Sequence, residues 1–152
     1  GQKYVASFLS MYVMYSVALH RETDTHFMFI EDDTRFNPDW QEQLNKALTD
    51  IPADFDFLFV GSCCAMHKNP QPVKPGSNVY KFAKTSGFPP NYPMGGNCYI
   101  IAKKCLEHII RTQRDCYAPA DISLAIHSFP GMDVYAILPR ICEQEGNENL
   151  EH

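Results

Sequence analysis

The run Phe27-Met28-Phe29-Ile30-Glu31-Asp32-Asp33 closes an apolar stretch with three consecutive carboxylates. Like charges side by side repel, and at the mouth of a buried strand that repulsion asks for a compensating cation. Glu31 and Asp33 lie two residues apart, so in an extended or turn backbone they can converge on one hard cation, directly or through water. Mg²⁺ takes one or two protein carboxylates and fills its other positions with water and substrate phosphates. Such a site suits a nucleotide diphosphate, whose departure a metal eases by neutralising charge. The same residues also fit a solvated acidic turn before the next helix, with Asp33 or Asn37 as its cap. Spacing alone leaves both readings open.

Other chemistry-bearing residues are more scattered. Asp121 follows Ala118-Pro119-Ala120 at a helix start, where aspartate is also a routine cap. His108 and His127 fall within helical patterns, where a structural histidine is the commoner outcome. Lys68 and Lys74 sit in a Pro- and Gly-containing loop and could reach a phosphate, or simply be solvated. Phe88 and Tyr92, beside prolines, could stack on a sugar or pack the loop. Ser62, Cys63 and Cys64 follow a strand, but no G-x-S-x-G elbow surrounds them.

The elements that must hold these residues follow from periodicity. Residues 3–21 predict a helix apolar on most sides, hence buried. Residues 26–30 predict a central strand covered on both faces. A helix over 37–50 has Asn37 to cap it and Pro38 in its first turn. A buried strand spans 54–62, a loop 63–78, a half-wet strand 79–83 and a second loop 84–97. A strand over 98–102 runs straight into a helix over 103–113, another helix covers 118–129, and a last strand covers 133–139. The tail from Arg140 is polar and acidic. Interleaved helices and strands predict one α/β domain, a mostly parallel sheet flanked by helices. In open sheets of this class ligands bind beyond the carboxyl ends of the strands, where the carboxylates stand.

The 152 residues suffice for one domain with a real core. A hydrophobic fraction of 45% and a charged fraction of 20% describe a folded chain. The formal net charge of -5, with no basic stripe, argues against a nucleic-acid partner. The apolar segment 4–20 is short and interrupted by serines, so no transmembrane segment is expected. Six cysteines include no CxxC pair, and there is no N-x-S/T sequon, which predicts reduced thiols in a cytoplasm-like compartment. Leu150-Glu151-His152 resembles the start of a vector-encoded histidine tag, which leaves 1–149 as the domain.

Several segments, in order, resemble a GT-A-type glycosyltransferase. They are "FMFIEDD", "FDFLFVGS", "GGNCYIIAKKCLEHII", "APAD" and the closing "LPRICEQ", covering roughly residues 5–144. The pattern is most like family 25, the lipopolysaccharide and collagen galactosyltransferase group. The resemblance implies a GT-A-like, Rossmann-like fold and transfer of a sugar from a nucleotide-sugar donor, UDP-linked by preference, to a hydroxyl on a carbohydrate or glycosylated acceptor. It implies that Asp33 ligates Mn²⁺ or Mg²⁺ on the donor diphosphate and that Glu31 faces the donor ribose or sugar, with Asp32 in support. Gly96 and Asn97 would contact donor or acceptor, although Gly95-Gly96-Asn97-Cys98-Tyr99 departs from the family's Thr-x-Gly/Ala-Tyr. Asp121 would be the general base of an inverting reaction, and His127 a third metal ligand. The strand and helix that bind the base in that fold have no counterpart before residue 3, so the sequence is expected to be N-terminally truncated or to belong to a reduced relative that binds differently. A non-catalytic carbohydrate- or nucleotide-binding relative is the alternative. A Mg²⁺-dependent phosphohydrolase ranks third, since it wants further acids at other strand ends.

Overall fold

The computed structural model describes residues 2–61, 71–82, 95–114 and 118–146. The chain begins with helix α1 (Gln2–Leu19), strand β1 (His26–Ile30), strand β2 (Thr34–Phe36), helix α2 (Trp40–Asp50) and strand β3 (Phe57–Gly61). It continues through β4 (Gln71–Pro72), β5 (Val79–Lys81), β6 (Cys98–Ala102) and α3 (Lys103–Thr112). A short α4 (Ala120–Ser123) passes into a π-helical turn (Leu124–Ser128), followed by β7 (Val134–Ile137) and β8 (Cys142–Gln144). The result is a mixed α/β domain with one six-stranded sheet, ordered β1-β6-β3-β7-β5-β4, and a two-stranded ribbon, β2-β8.

The sheet is not mostly parallel. Only β3 and β7 run parallel; β1–β6, β6–β3, β7–β5 and β5–β4 are antiparallel. The reversed strands are β5 and β6, which follow Pro- and Gly-rich sequence instead of a helical pattern. A parallel neighbour demands a long crossover, usually helical; an antiparallel one does not.

Alternation along the strands builds a core on each face. Phe57 and Phe59 pack with Tyr99, Ile101, Leu106 and Phe129 on the side of α1 and α3. Leu58 and Val60 pack with Leu44, Ala47, Ile100 and Ile137 on the side of α2. Every residue of β3, β6 and β7 is buried, as strands covered on both faces require. Each fully buried Leu, Ile or Phe contributes about 1.5–3 kcal/mol, so these three strands carry the fold.

Two expected burials fail. β1 is an edge strand of the six-stranded sheet, and Ile30 is 47% exposed. A continuous apolar run describes a hydrophobic strand without saying how many neighbours it has. Helix α1 seats only one side: Tyr15 and Ala18 are buried, while Val5, Leu9, Tyr12, Val13 and Val17 are exposed. That side packs against α3 and α4, and Tyr15 reaches the sheet at Phe29 and Tyr99.

Helix α2 starts later than its sequence suggests. Asp39 is its N-cap and makes no side-chain capping bond. The Asn37 side chain instead donates to the Arg140 carbonyl at 3.5 Å, and the Asn37 amide donates to the Ile141 carbonyl at 3.0 Å. Asn37 thus ties the start of α2 to the approach to β8.

Candidate functional site

The carboxylates occupy a tight turn between β1 and β2. The Thr34 amide donates to the Glu31 carbonyl at 3.1 Å, which puts Asp32 and Asp33 at the two central positions of a β-turn. Asn97 anchors this turn through its backbone. Its carbonyl accepts the Glu31 amide at 2.8 Å and the Thr34 hydroxyl at 2.8 Å. The Asn97 side chain is buried, with its Oδ1 packed toward Gly61, so it supports the turn from behind.

The β2–β8 ribbon closes over the turn. Gln144 Nε2 donates to Asp33 Oδ2 at 2.7 Å, and the Glu145 amide donates to the Asp33 carbonyl at 2.8 Å. Arg35 and Glu145 form an ion pair beside it. The other carboxylate oxygen, Asp33 Oδ1, is buried and has no hydrogen-bond partner. A buried ionised oxygen without a donor is costly unless a cation or a ligand donor meets it.

Two adjoining hollows share Glu31, Tyr99, Ser7 and Met11. One, of about 470 Å³, runs from Glu31 to Gly95, Gly96, Asp121 and Gln144. The other reaches Asp32 and Asp33 between α1 and the end of β1. The fold therefore brings Glu31, Asp32, Asp33, Gly96 and Asp121 to one edge of the sheet. His127 is exposed on the π-helical turn and lines neither hollow. His108 Nε2 is occupied by the Ser128 carbonyl at 2.9 Å. Among the described residues no group of three His, Cys, Asp or Glu side chains converges as a metal set. Ser62, Cys63, Cys64, Lys68, Phe88 and Tyr92 lie outside the described residues.

Charge and burial are uneven across the site. Partial desolvation raises the Glu31 carboxyl above its ordinary value, and the neighbouring charges of Asp33, Asp32 and Asp121 push it the same way. Asp121 is held at both oxygens. Its Oδ2 accepts the Gly95 amide at 2.9 Å and its Oδ1 accepts the Ile122 amide at 2.8 Å. Gly95 has φ of 72°, a conformation that glycine adopts without strain, so the glycine pair lets the 95–97 strand entry bend toward Asp121.

Sequence reasoning missed two contributors. Gln144 was legible only as the end of the closing "LPRICEQ" segment. Tyr99 forms a wall of both hollows, its ring stacked on Phe29 and Phe57 with centroids 5.6 and 5.2 Å away. The Tyr99 hydroxyl shares a buried 2.8 Å hydrogen bond with Tyr15. Burial is the main reason both phenols are held above their ordinary range.

Compared with protein-family models the chain matches none, and compared with curated proteins it matches none.

Proposed function

We propose that this chain is a metal-dependent glycosyltransferase of GT-A type that moves a sugar from a nucleotide-sugar donor to a hydroxyl acceptor. The observation that carries the reading is Asp33: one oxygen is fixed by Gln144, and the other is buried and unpartnered at the mouth of a cleft lined by acids. That orphaned oxygen fits a cation. Asp33 would hold Mn²⁺ or Mg²⁺, with Asp32, which lines the same hollow, in support. Bound there, the metal supplies charge neutralisation for a diphosphate leaving group. Two protein carboxylates are enough when water and phosphate oxygens complete the shell.

The remaining chemistry belongs to the protein. Glu31, raised by partial burial and then by its acidic neighbours, stands between the two hollows and is suited to hydrogen-bond donor hydroxyls. Asp121 lies across the larger hollow and is the candidate base for the acceptor hydroxyl. Each of its oxygens keeps a lone pair beyond the backbone bond it accepts, so the amides orient it without filling it. Tyr99 and the backbone at Gly96 offer a flat wall and a close approach for a sugar ring.

A second reading is favoured by the same Asp121 contacts. A carboxylate bonded to Gly95 and Ile122 is also a structural tie, and the chain would then bind a carbohydrate or nucleotide without turning it over. A thermal-shift titration with UDP, GDP and CMP sugars, with and without Mn²⁺, separates them when paired with a turnover assay. A ligand that binds only the folded state at one hundred times its Kd stabilises by about 2.7 kcal/mol. The transferase reading expects a Mn²⁺-dependent shift with one nucleotide class, lost in Asp33→Asn, together with sugar transfer. Binding without transfer supports the second reading, and no shift with any donor overturns both.

A further inference from the structure

Gly61 stands opposite Cys98 in the β3–β6 pair, just past an irregularity in register. Cys142 opens β8, next to Ile141, whose amide reaches the Val60 carbonyl at 3.4 Å. A Cβ built on Gly61 would lie 2.6 Å from Cys142 Sγ. The missing side chain at Gly61 is therefore the space that the Cys142 sulfur fills. Cys98, the partner of Gly61 across the strand pair, belongs to the same buried cluster as Cys142. Both are sealed from solvent, at 0% and 1% exposed.

A buried cysteine ordinarily behaves as a small hydrophobe, and one is enough to fill a small gap. Two that converge on the space at one glycine, from strands far apart in sequence, are placed for a cross-link. We propose that Cys98 and Cys142 are a disulfide-forming pair that, when oxidised, bolts the β2–β8 ribbon to β6. The bond would lie two residues from Gln144, the side chain that holds Asp33, so the redox state of this pair sets how firmly the ribbon sits over the acidic turn. The inference does not depend on the glycosyltransferase reading.

The oxidant is a small disulfide such as glutathione disulfide. One cysteine thiolate attacks a sulfur of the oxidant, releasing one glutathione and leaving a mixed disulfide. The second thiolate attacks the protein-bound sulfur and releases the second glutathione. Two protons and two electrons leave the protein, and one glutathione disulfide becomes two thiols. The neighbouring Cys142 and burial keep the Cys98 thiol protonated in the folded state, and the thiolate is the reactive form. Closure therefore belongs to folding, or to moments when the ribbon lifts from the sheet.

The test is to refold the full chain from urea in a glutathione redox buffer, quench with iodoacetamide in urea so that every free thiol is exposed to it, and map tryptic peptides by mass. Cys98 lies in the peptide 85–103 and Cys142 in 141–152, and each is the single cysteine of its peptide. The expected result is one linked species joining these peptides, lighter by two hydrogens than their sum, and a melting temperature several degrees above that of protein refolded with dithiothreitol. Cys142→Ala should leave Cys98 alkylated and abolish the difference between the two refolding conditions. Full alkylation of both residues in the wild type, or their random linkage to other cysteines, overturns the proposal whether or not the variant folds.

Discussion

Gln144 Nε2 donates to Asp33 Oδ2 at 2.7 Å, so the last strand of the fold fixes the last carboxylate of the acidic turn. The bond determines which oxygen of Asp33 remains free. Gln144→Ala removes the donor and leaves both oxygens to find other partners. A hydrogen bond to a charged group contributes about 1.5–3 kcal/mol, and the lower end applies because Gln144 is half-buried. Urea unfolding of the variant should show a loss of about 1.5 kcal/mol. The Mn²⁺-dependent thermal shift should also weaken, since Asp33 is no longer oriented.

Gly61→Ala should be harsher than its single methyl suggests. The new Cβ would meet Asn97 Oδ1 and Cys142 Sγ at 2.6 Å and the Cys142 carbonyl at 2.9 Å. The carbonyl is backbone and cannot swing aside. Overpacking of this kind costs about 1–3 kcal/mol, and chemical denaturation should place the variant at the upper end. Wild-type stability in Gly61→Ala would mean that β8 does not pack where it is described.

Tyr15 and Tyr99 should behave as a coupled pair. Each single change to Phe strands the other hydroxyl in the core, at a cost of about 1–3 kcal/mol. The double change removes both polar groups and should recover most of that loss. A double-mutant cycle read by urea unfolding should therefore give a clear coupling energy, and strict additivity would show that the two hydroxyls do not pair.

Stability should bend with pH in two opposite directions. Glu31 is raised in the folded state, so its contribution is fully present below its unfolded value near 4.5 and is lost as pH rises through the folded value. Glu31→Gln should flatten that part of the profile and stabilise the protein at neutral pH in the absence of metal. Asp56 goes the other way. Burial would raise it, but the Asp133 amide, the Lys104 ammonium and the Cys105 thiol together hold it below its ordinary value. Its contribution is present above the unfolded value near 3.8 and is lost as pH falls through the folded one. Asp56→Asn should therefore lose stability at pH 7 and show a shallower acid limb, measured by urea titrations across pH.

The strands and helices that were legible in the sequence are those whose pattern is local. Phe57–Gly61 and Cys98–Ala102 announce themselves as unbroken apolar runs, and Trp40, Leu44 and Ala47 as one helical face. Strand direction was not legible, because the hydrophobicity of Cys98–Ala102 is the same whichever way it enters the sheet. Thr34–Phe36 and Cys142–Gln144 were missed because each is three residues long and half-wet, too short to show a period. The helix expected over 118–129 exists as two parts, since the hydrogen bonding loosens to a π pattern at Leu124. In the site, the carboxylate turn was visible as composition. What holds it, the Asn97 carbonyl and the Gln144 amide, comes from distant strands and has no local signature.

The ribbon also has a consequence for how the protein acquires its cleft. Asp33 and Gln144 are 111 positions apart, so the contact between them closes most of the 152-residue chain into one loop. Contacts of such long range are entropically expensive and form late. On a ribosome, a chain that has reached residue 137 already holds every strand of the six-stranded sheet and the Asn97 carbonyl that anchors the acidic turn, yet it lacks the Gln144 amide that grips Asp33. The grip on Asp33 is therefore acquired after the sheet, and a product terminated before β8 would lack it.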